Sequence, residues 1–230
     1  MPFFKFDECR TKTRFAHRAR LASPLDSKVR EYTSKELSWD TWPDLERLFE
    51  KPGIGDAWWC WCMHHHVPSY SLPENKPPRT RAERAVRNRQ RKAELVKDGH
   101  SHGILVYEER EPVGWCQYGR REELPRIDNG RKYRNLALGD NAAKFWRITC
   151  FVVDKNYRKR GVASAALKAA LESIRNRGGG TVEAIPVSKT DQGAGYMCTG
   201  TVSMFEKAGF KIVAPFGDGR TTTVVMRRTI

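Results

Sequence analysis

The chain has 230 residues, of which 30% are charged and 39% hydrophobic, and it carries a net charge of +15. That apolar share builds a real core and excludes a mainly disordered or collagen-like chain. No apolar run approaches the ~18 residues that cross a bilayer, and the cluster at residues 2–6 is too short for a signal-peptide core, so the sequence reads as a soluble, cytoplasmic protein.

The charge is unevenly spread. Residues 1–30 carry eight Lys/Arg against three acids, and residues 75–100 carry nine against three. Such patches attract anions: phosphate, nucleic acid or an acidic substrate. The competing reading is a solvated arm and a solvated helix face. The six cysteines are expected to be free thiols, since a chain of this size needs no disulfide staples.

In chain order, residues 1–28 read as a basic N-terminal arm and residues 29–230 as one domain. A short strand is expected at 29–33. Thr41 and Asp44 form a capping-box pattern, with Pro43 in the first turn, and Trp42, Leu45, Leu48 and Phe49 follow at helical spacing. Pro52-Gly53 ends that helix. Trp58, Trp59, Cys60, Trp61, Cys62 and Met63 then precede His64, His65 and His66. Adjacent side chains point in different directions and paired Cys-x-x-Cys halves are missing, so no metal site is expected. The aromatic cluster is expected either over a substrate cleft or within a core.

Thr80 and Glu83 form a second capping box, opening a basic helix to about Lys97. Residues 103–108 and 112–118 read as a β-hairpin, followed by a polar loop to about residue 144. Residues 145–153 form a strongly apolar strand. Val162, Ala165, Ala166, Ala169, Ala170, Ser173 and Ile174 make one face of a helix that Gly178-Gly179-Gly180 ends. A strand is expected at 182–187, a short helix at 201–207 and a closing hairpin around Gly217-Asp218-Gly219. Strands and helices alternate around one β-α-β unit, which gives a mixed α/β class.

The stretch from Ile148 to Ala163 carries the chemistry. An apolar strand runs into a basic turn, Arg158-Lys159-Arg160, and then Gly161, Val162 and Ala163 enter a helix. Free N–H groups and the positive dipole end at a helix start suit an anion. Neither the Walker nor the Rossmann glycine pattern is present.

Arg158, Gly161 and Ala163 occupy the positions of motif A of the GNAT N-acetyltransferases, and the segment resembles that motif. Met204-Phe205-Glu206-Lys207-Ala208-Gly209-Phe210 is similar to the family's motif B. The resemblance implies a GNAT fold: a mixed central sheet of six to seven strands, with splayed parallel strands and flanking helices. It implies acetyl-CoA as cosubstrate, with pantetheine beside the backbone of Phe151, Val152 and Val153. The pyrophosphate would lie on Arg158, Lys159, Arg160, Gly161, Val162 and Ala163, and Phe205 would pack beside the cofactor. The implied reaction is direct acetyl transfer to an amine of a small molecule, with a peptide or protein amine second; acidic and aromatic acceptors are among those expected.

That transfer calls for a proton acceptor, an oxyanion donor and an acid for the leaving thiolate. Glu183, in an otherwise apolar strand, is the first expected base, with Glu122 and Glu123 in the loop after the hairpin ranked below it. The motif-B tyrosine that often serves as acid in the family is here Phe205, which leaves Tyr196, Thr201, Ser203 or water as substitutes. The alternative reading is a non-catalytic CoA- or nucleic-acid-binding module on the same fold. Nucleic acid is the lower-ranked partner.

Overall fold

A computed structural model describes residues 31–67, 78–139, 143–191, 197–217 and 221–230. The proposed arm, residues 1–28, lies outside them. The described residues belong to one unit, Glu31–Ile230. Among them, no helix is long and apolar enough to cross a membrane.

The unit is built on a mixed sheet. Strands β1 (Thr33–Glu36), β2 (His102–Glu108), β3 (Glu111–Arg120) and β4 (Phe145–Val153) form an antiparallel meander. Strand β5 (Thr181–Ala184) lies parallel to β4, joined through helix α6 (Val162–Asn176). Strand β8 (Thr221–Thr229) runs antiparallel to β5 and β6 (Val187–Thr190), and also to β7 (Lys211–Pro215). The expected strand at 182–187 is thus two strands, making eight in all. Pro186 lies at the break: it has no N–H to offer a ladder, and its carbonyl accepts from Val224 N at 3.2 Å.

Both faces of the meander are covered, which explains its nearly continuous apolar runs. Ile104 and Val106 on β2, with Cys116 and Tyr118 on β3, pack toward α6, through Val162, Ala166, Leu167, Ala170 and Ile174. Leu105, Tyr107 and Trp115 point the other way. They meet α1 (Trp42–Phe49), α2 (Ala57–Cys60) and α3 (Arg81–Lys97). Alternation along each strand assigns the two faces.

The Thr80–Glu83 capping box forms in full, with both reciprocal bonds. Thr41 precedes α1 but does not cap it with its side chain. Its hydroxyl donates to the Glu36 carbonyl at 2.9 Å and accepts from Ser38 N at 2.9 Å, tying the helix start to β1. The first strand lies three to four residues later than expected. The loop after β3 is not featureless: it holds short helical turns at α4 (Arg126–Asn129) and α5 (Arg131–Arg134), too brief to show a period in sequence.

The helix α3 does not display all of its charge. Arg89 pairs with Glu46 at 2.6 Å, Lys97 lies over the Trp39 ring, and Lys92 is fully buried.

Candidate functional site

Strands β4 and β5 pair from Phe145↔Thr181 to Ile148↔Ala184 and then part. The fork so formed opens onto a cavity of about 300 Å³. Ile148 and Thr149 line it from β4, and Ala184 and Ile185 from the β5 side. His64, His65, Arg126, Thr199 and Phe216 close it around. Three buried polar atoms on this wall have no hydrogen-bond partner: His65 Nδ1, Thr149 Oγ1 and Thr199 Oγ1. Buried polar atoms are normally paired, and three orphans on one wall mark a surface made for a polar ligand.

The floor of the cavity is an ion network. Arg147 is fully buried and Glu183 is 1% exposed. Arg147 Nε donates to Glu183 Oε1 at 3.2 Å, and its Nη2 donates to Asp128 Oδ1 at 2.9 Å. Arg227 Nε donates to Glu183 Oε2 at 2.9 Å, and the Tyr133 hydroxyl lies within 2.7 Å of both carboxylate oxygens. Arg147 and Arg121 hold the Asp128 carboxyl below the usual carboxylate range, against the opposing effect of burial. Glu183 therefore borders the cavity, as a candidate base should, with both oxygens engaged by the protein.

The histidines report the electrostatics of the wall. Burial, reinforced by His64, Arg126 and Arg147, pushes His65 down to about 3. Burial and Arg126 push His64 down to about 4. Both rings are neutral at physiological pH, in a site that disfavours added positive charge.

Among the other predicted residues, Glu123 is away from this wall. Its carboxylate bonds His102 Nε2 at 3.1 Å and Arg120 N at 2.7 Å. Tyr196 lies outside the described residues. Phe205 is fully buried, with its ring against Phe151 and Phe210. Of the tryptophans, Trp61 is core, against Trp42 and Phe49. Trp58 and Trp61 line a separate groove of about 720 Å³ beside Gly53 and α3, so the aromatic cluster is not the wall of the fork cavity.

Beyond the cavity, the free edge of β4 faces the fork. Amides alternate in direction along a strand. The Asp154 amide donates to Val113 of β3 at 3.0 Å, so the Val152 amide also points to β3, while those of Phe151 and Val153 point into the fork. The Phe151 amide meets the Cys198 carbonyl at 2.5 Å. Residues 197–200 form a turn closed by Gly200 N donating to Met197 O at 2.9 Å; one carbonyl of the turn, that of Cys198, meets β4, and Val187 N donates to Gly200 O at 3.1 Å on its other side.

At the far end of β4, Gly161 caps α6 with φ +86°. That left-handed geometry favours glycine. Nothing lies within 4 Å of the place where a Cβ would sit. The first amides of α6, at Val162 and Ala163, have no carbonyl one turn earlier in the helix. Before them, Arg158 Nε donates to Val153 O and its Nη2 to Gly53 O, both at 3.4 Å, and the Arg160 guanidinium lies over the Tyr157 ring.

Sequence reasoning did not single out Arg126, Thr149, Thr199 or Arg147, and it weighed His65 only as a metal ligand. Only Arg147 left a signal, as the one charge inside the apolar run 145–153.

The sequence profile of the acetyltransferase (GNAT) family matches residues 45–210. No curated protein sequence matches the chain. Among solved structures, the mosquito arylalkylamine N-acetyltransferase like 5b is similar at a TM-score of 0.52 and 9% identity, over 87% of this chain and 100% of that one. A GNAT-family acetyltransferase structure from Desulfovibrio desulfuricans is similar at 0.49 and 14% identity, over 86% and 99%. With the profile covering more than half of the sequence, the chain belongs to the GNAT acetyltransferase family.

Proposed function

We propose that the chain is an acetyl-CoA-dependent N-acetyltransferase, carrying an acetyl group directly to an amine seated in the fork cavity. The observation that carries this reading is the cavity itself: three orphaned polar atoms gathered where β4 and β5 part. The residues present fit the cosubstrate. Gly161 leaves open space at a helix start, where a pyrophosphate finds free amides and Arg158, Lys159 and Arg160. Phe151 and Val153 offer amides to a pantetheine arm. When bound, acetyl-CoA supplies a thioester carbonyl open to attack by an amine.

The chain's own residues prepare that amine. A wall that holds two imidazoles neutral also disfavours an ammonium, so the amine gives its proton to bulk water on entering the cavity. His65 Nδ1 and the Thr149 and Thr199 hydroxyls are the groups that orient it. This assigns the proton loss to the environment rather than to Glu183 or Glu123, whose carboxylates the protein already engages. Tyr196 remains the proposed acid for the leaving thiolate, since Phe205 has no proton to give. Ile127, Ile148, Ile185 and Phe216 suit an acceptor with an apolar body, and Arg126 suits an anionic group on it. A small-molecule amine fits the cavity volume better than a protein surface.

Calorimetric titration with acetyl-CoA, CoA and ATP tests the reading. Binding of acetyl-CoA and CoA but not ATP is expected. Absence of binding by the first two would remove the enzyme reading and leave the fold.

Gly161→Glu is expected to abolish acetyl-CoA binding, because it sets a carboxylate where the pyrophosphate would lie. Gly161→Ala separates this from backbone strain: it bears the same left-handed penalty of about 1 kcal/mol. It is expected to stay folded and to bind more tightly than Gly161→Glu. Equal affinity of the folded Glu variant and the parent would sink the assignment of the turn.

A further inference from the structure

The charges around the fork cavity do not cancel, and their imbalance discriminates among amines. Among the described residues, the lining holds two cations, Arg126 and Arg147, and one carboxylate, Glu183. Both Glu183 oxygens are already engaged: Arg147 Nε lies 3.2 Å from one and Arg227 Nε 2.9 Å from the other. Asp128, the next acid out, is held by Arg147 and by Arg121. Three guanidiniums thus share two carboxylates, and Arg126 is a fourth on the cavity wall.

Arg126 is the first residue of α4. Its amide donates to His65 O and its Nη1 to Val67 O, both at 3.4 Å, which ties it to the histidine segment on the opposite wall. Carbonyl acceptors are neutral and leave the charge of the guanidinium in place. Its field reaches the cavity: after burial, Arg126 is what lowers His64, and it also lowers His65.

We propose that the acceptor is an amino acid with an apolar side chain, taken up as a zwitterion, and that Arg126 selects it by its carboxylate. This rests on the reading under Proposed function and narrows it to one substrate class. It ranks each amino acid above the amine that lacks its carboxylate, and it excludes polyamines. Arginine can hold a carboxylate in two parallel bonds. Ile127, Ile148, Ile185 and Phe216 line the rest of the space and receive the side chain. The volume of about 300 Å³ is at the small end of ligand pockets and suits one residue, not a peptide.

The charge balance follows the reaction. The zwitterion brings no net charge into a positive site. Its ammonium gives one proton to bulk water, and the carboxylate beside Arg126 becomes the ligand's only charge. The neutral nitrogen attacks the thioester carbonyl: an N–C bond forms, the C–S bond breaks, and the surplus proton on nitrogen passes to the leaving thiolate. An N-acetyl amino acid, a free thiol and one released proton account for the ammonium and thioester consumed. A polyamine instead keeps further ammonium groups beside Arg126 and Arg147, where Glu183 has no unengaged oxygen to meet them.

The test uses the full chain and matched pairs of acceptors: L-phenylalanine against phenethylamine, and L-leucine against isopentylamine, with spermidine beside them. Within each pair the amino acid is expected to show a kcat/KM roughly tenfold or more above its amine, the effect of one charge-assisted contact. Spermidine is expected to give no turnover. Arg126→Gln is expected to bring each ratio within about threefold, and Arg126→Lys, which keeps the charge, to retain most of it. The parent alone carries the paired comparison, so the test stands even where a variant fails to fold. Equal use of both members of a pair, preference for spermidine, or an unchanged ratio in folded Arg126→Gln would overturn the proposal. Acetyl-CoA binding with no turnover of any acceptor overturns it too and leaves the cosubstrate reading standing. Failure to bind acetyl-CoA at all removes the enzyme reading itself.

Discussion

Replacing Arg147 with methionine is expected to destabilise the protein by about 3–5 kcal/mol. Arg147 is fully buried and serves two carboxylates, Glu183 and Asp128. Methionine fills much of the volume but leaves both acids short of a partner. Glu183, 1% exposed, would retain only Arg227 and Tyr133. Removing one member of a buried ion network costs more than the network contributes, because the remaining charge stays out of water. Against a domain stability of about 5–15 kcal/mol, this is a large fraction. Urea unfolding of Arg147→Met beside Arg121→Met gives the comparison. Arg121 also pairs with Asp128, but its side chain is 38% exposed, so its loss should cost at most about 1 kcal/mol. Similar losses for the two variants would mean that Arg147 is not the keystone of the network.

Lys92 gives the second large effect, as a pH dependence. Its ammonium is fully buried on α3, with Nζ 3.3 Å from Gln117 Oε1 and 3.5 Å from His66 Nε2. Burial pushes it down to about 8, partly offset by Cys62, Cys150, Cys60 and Glu123. The folded state thus gives up this proton more readily than the unfolded chain, where lysine titrates near 10.4. Between these values the unfolded state binds more protons, so stability rises with pH. The expected gain from pH 8 to about 10.5 is about 3 kcal/mol. Unfolding free energies of the parent and of Lys92→Met, measured across this range, isolate the effect. Lys92 lowers Cys62, so the two proteins are compared in a Cys62→Ser background, which removes that coupled titration from the difference curve. A flat difference curve would refute the assignment.

How much of this was legible in the sequence depended on distance along the chain. The β4–α6 segment was legible because an apolar run, a glycine and a helical stripe are adjacent, and local chemistry fixed all three. Strand β4 lies where the apolar run places it. The break at Pro186 was written in the sequence, yet the apolar run 182–187 masked it. The short turns α4 and α5 were not legible, because four residues cannot show a helical period.

The cavity was hidden for a different reason. Glu183 stood out as a lone acid in an apolar strand, but its partners Tyr133, Arg147 and Arg227 come from three other elements. A buried acid invites the reading of a poised base until its partners are known. Glu123 was legible only as an acid in the loop after the hairpin; its partners, His102 Nε2 and Arg120 N, are set by the fold.

The turn at residues 197–200, with its Cys198 carbonyl on the Phe151 amide, changes what ligand entry means thermodynamically. A pantetheine that takes the Phe151 amide must first evict the Cys198 carbonyl, so one backbone bond is exchanged for another of the same kind. Such a swap is nearly isoenergetic. The fork then contributes register and orientation but little net affinity. On the proposed reading the anchoring comes from the opposite end of β4, where nothing lies within 4 Å of the place a Gly161 Cβ would occupy. On the proposed reading the ligand is gripped by its nucleotide end and threaded by its thioester end, and capture precedes insertion.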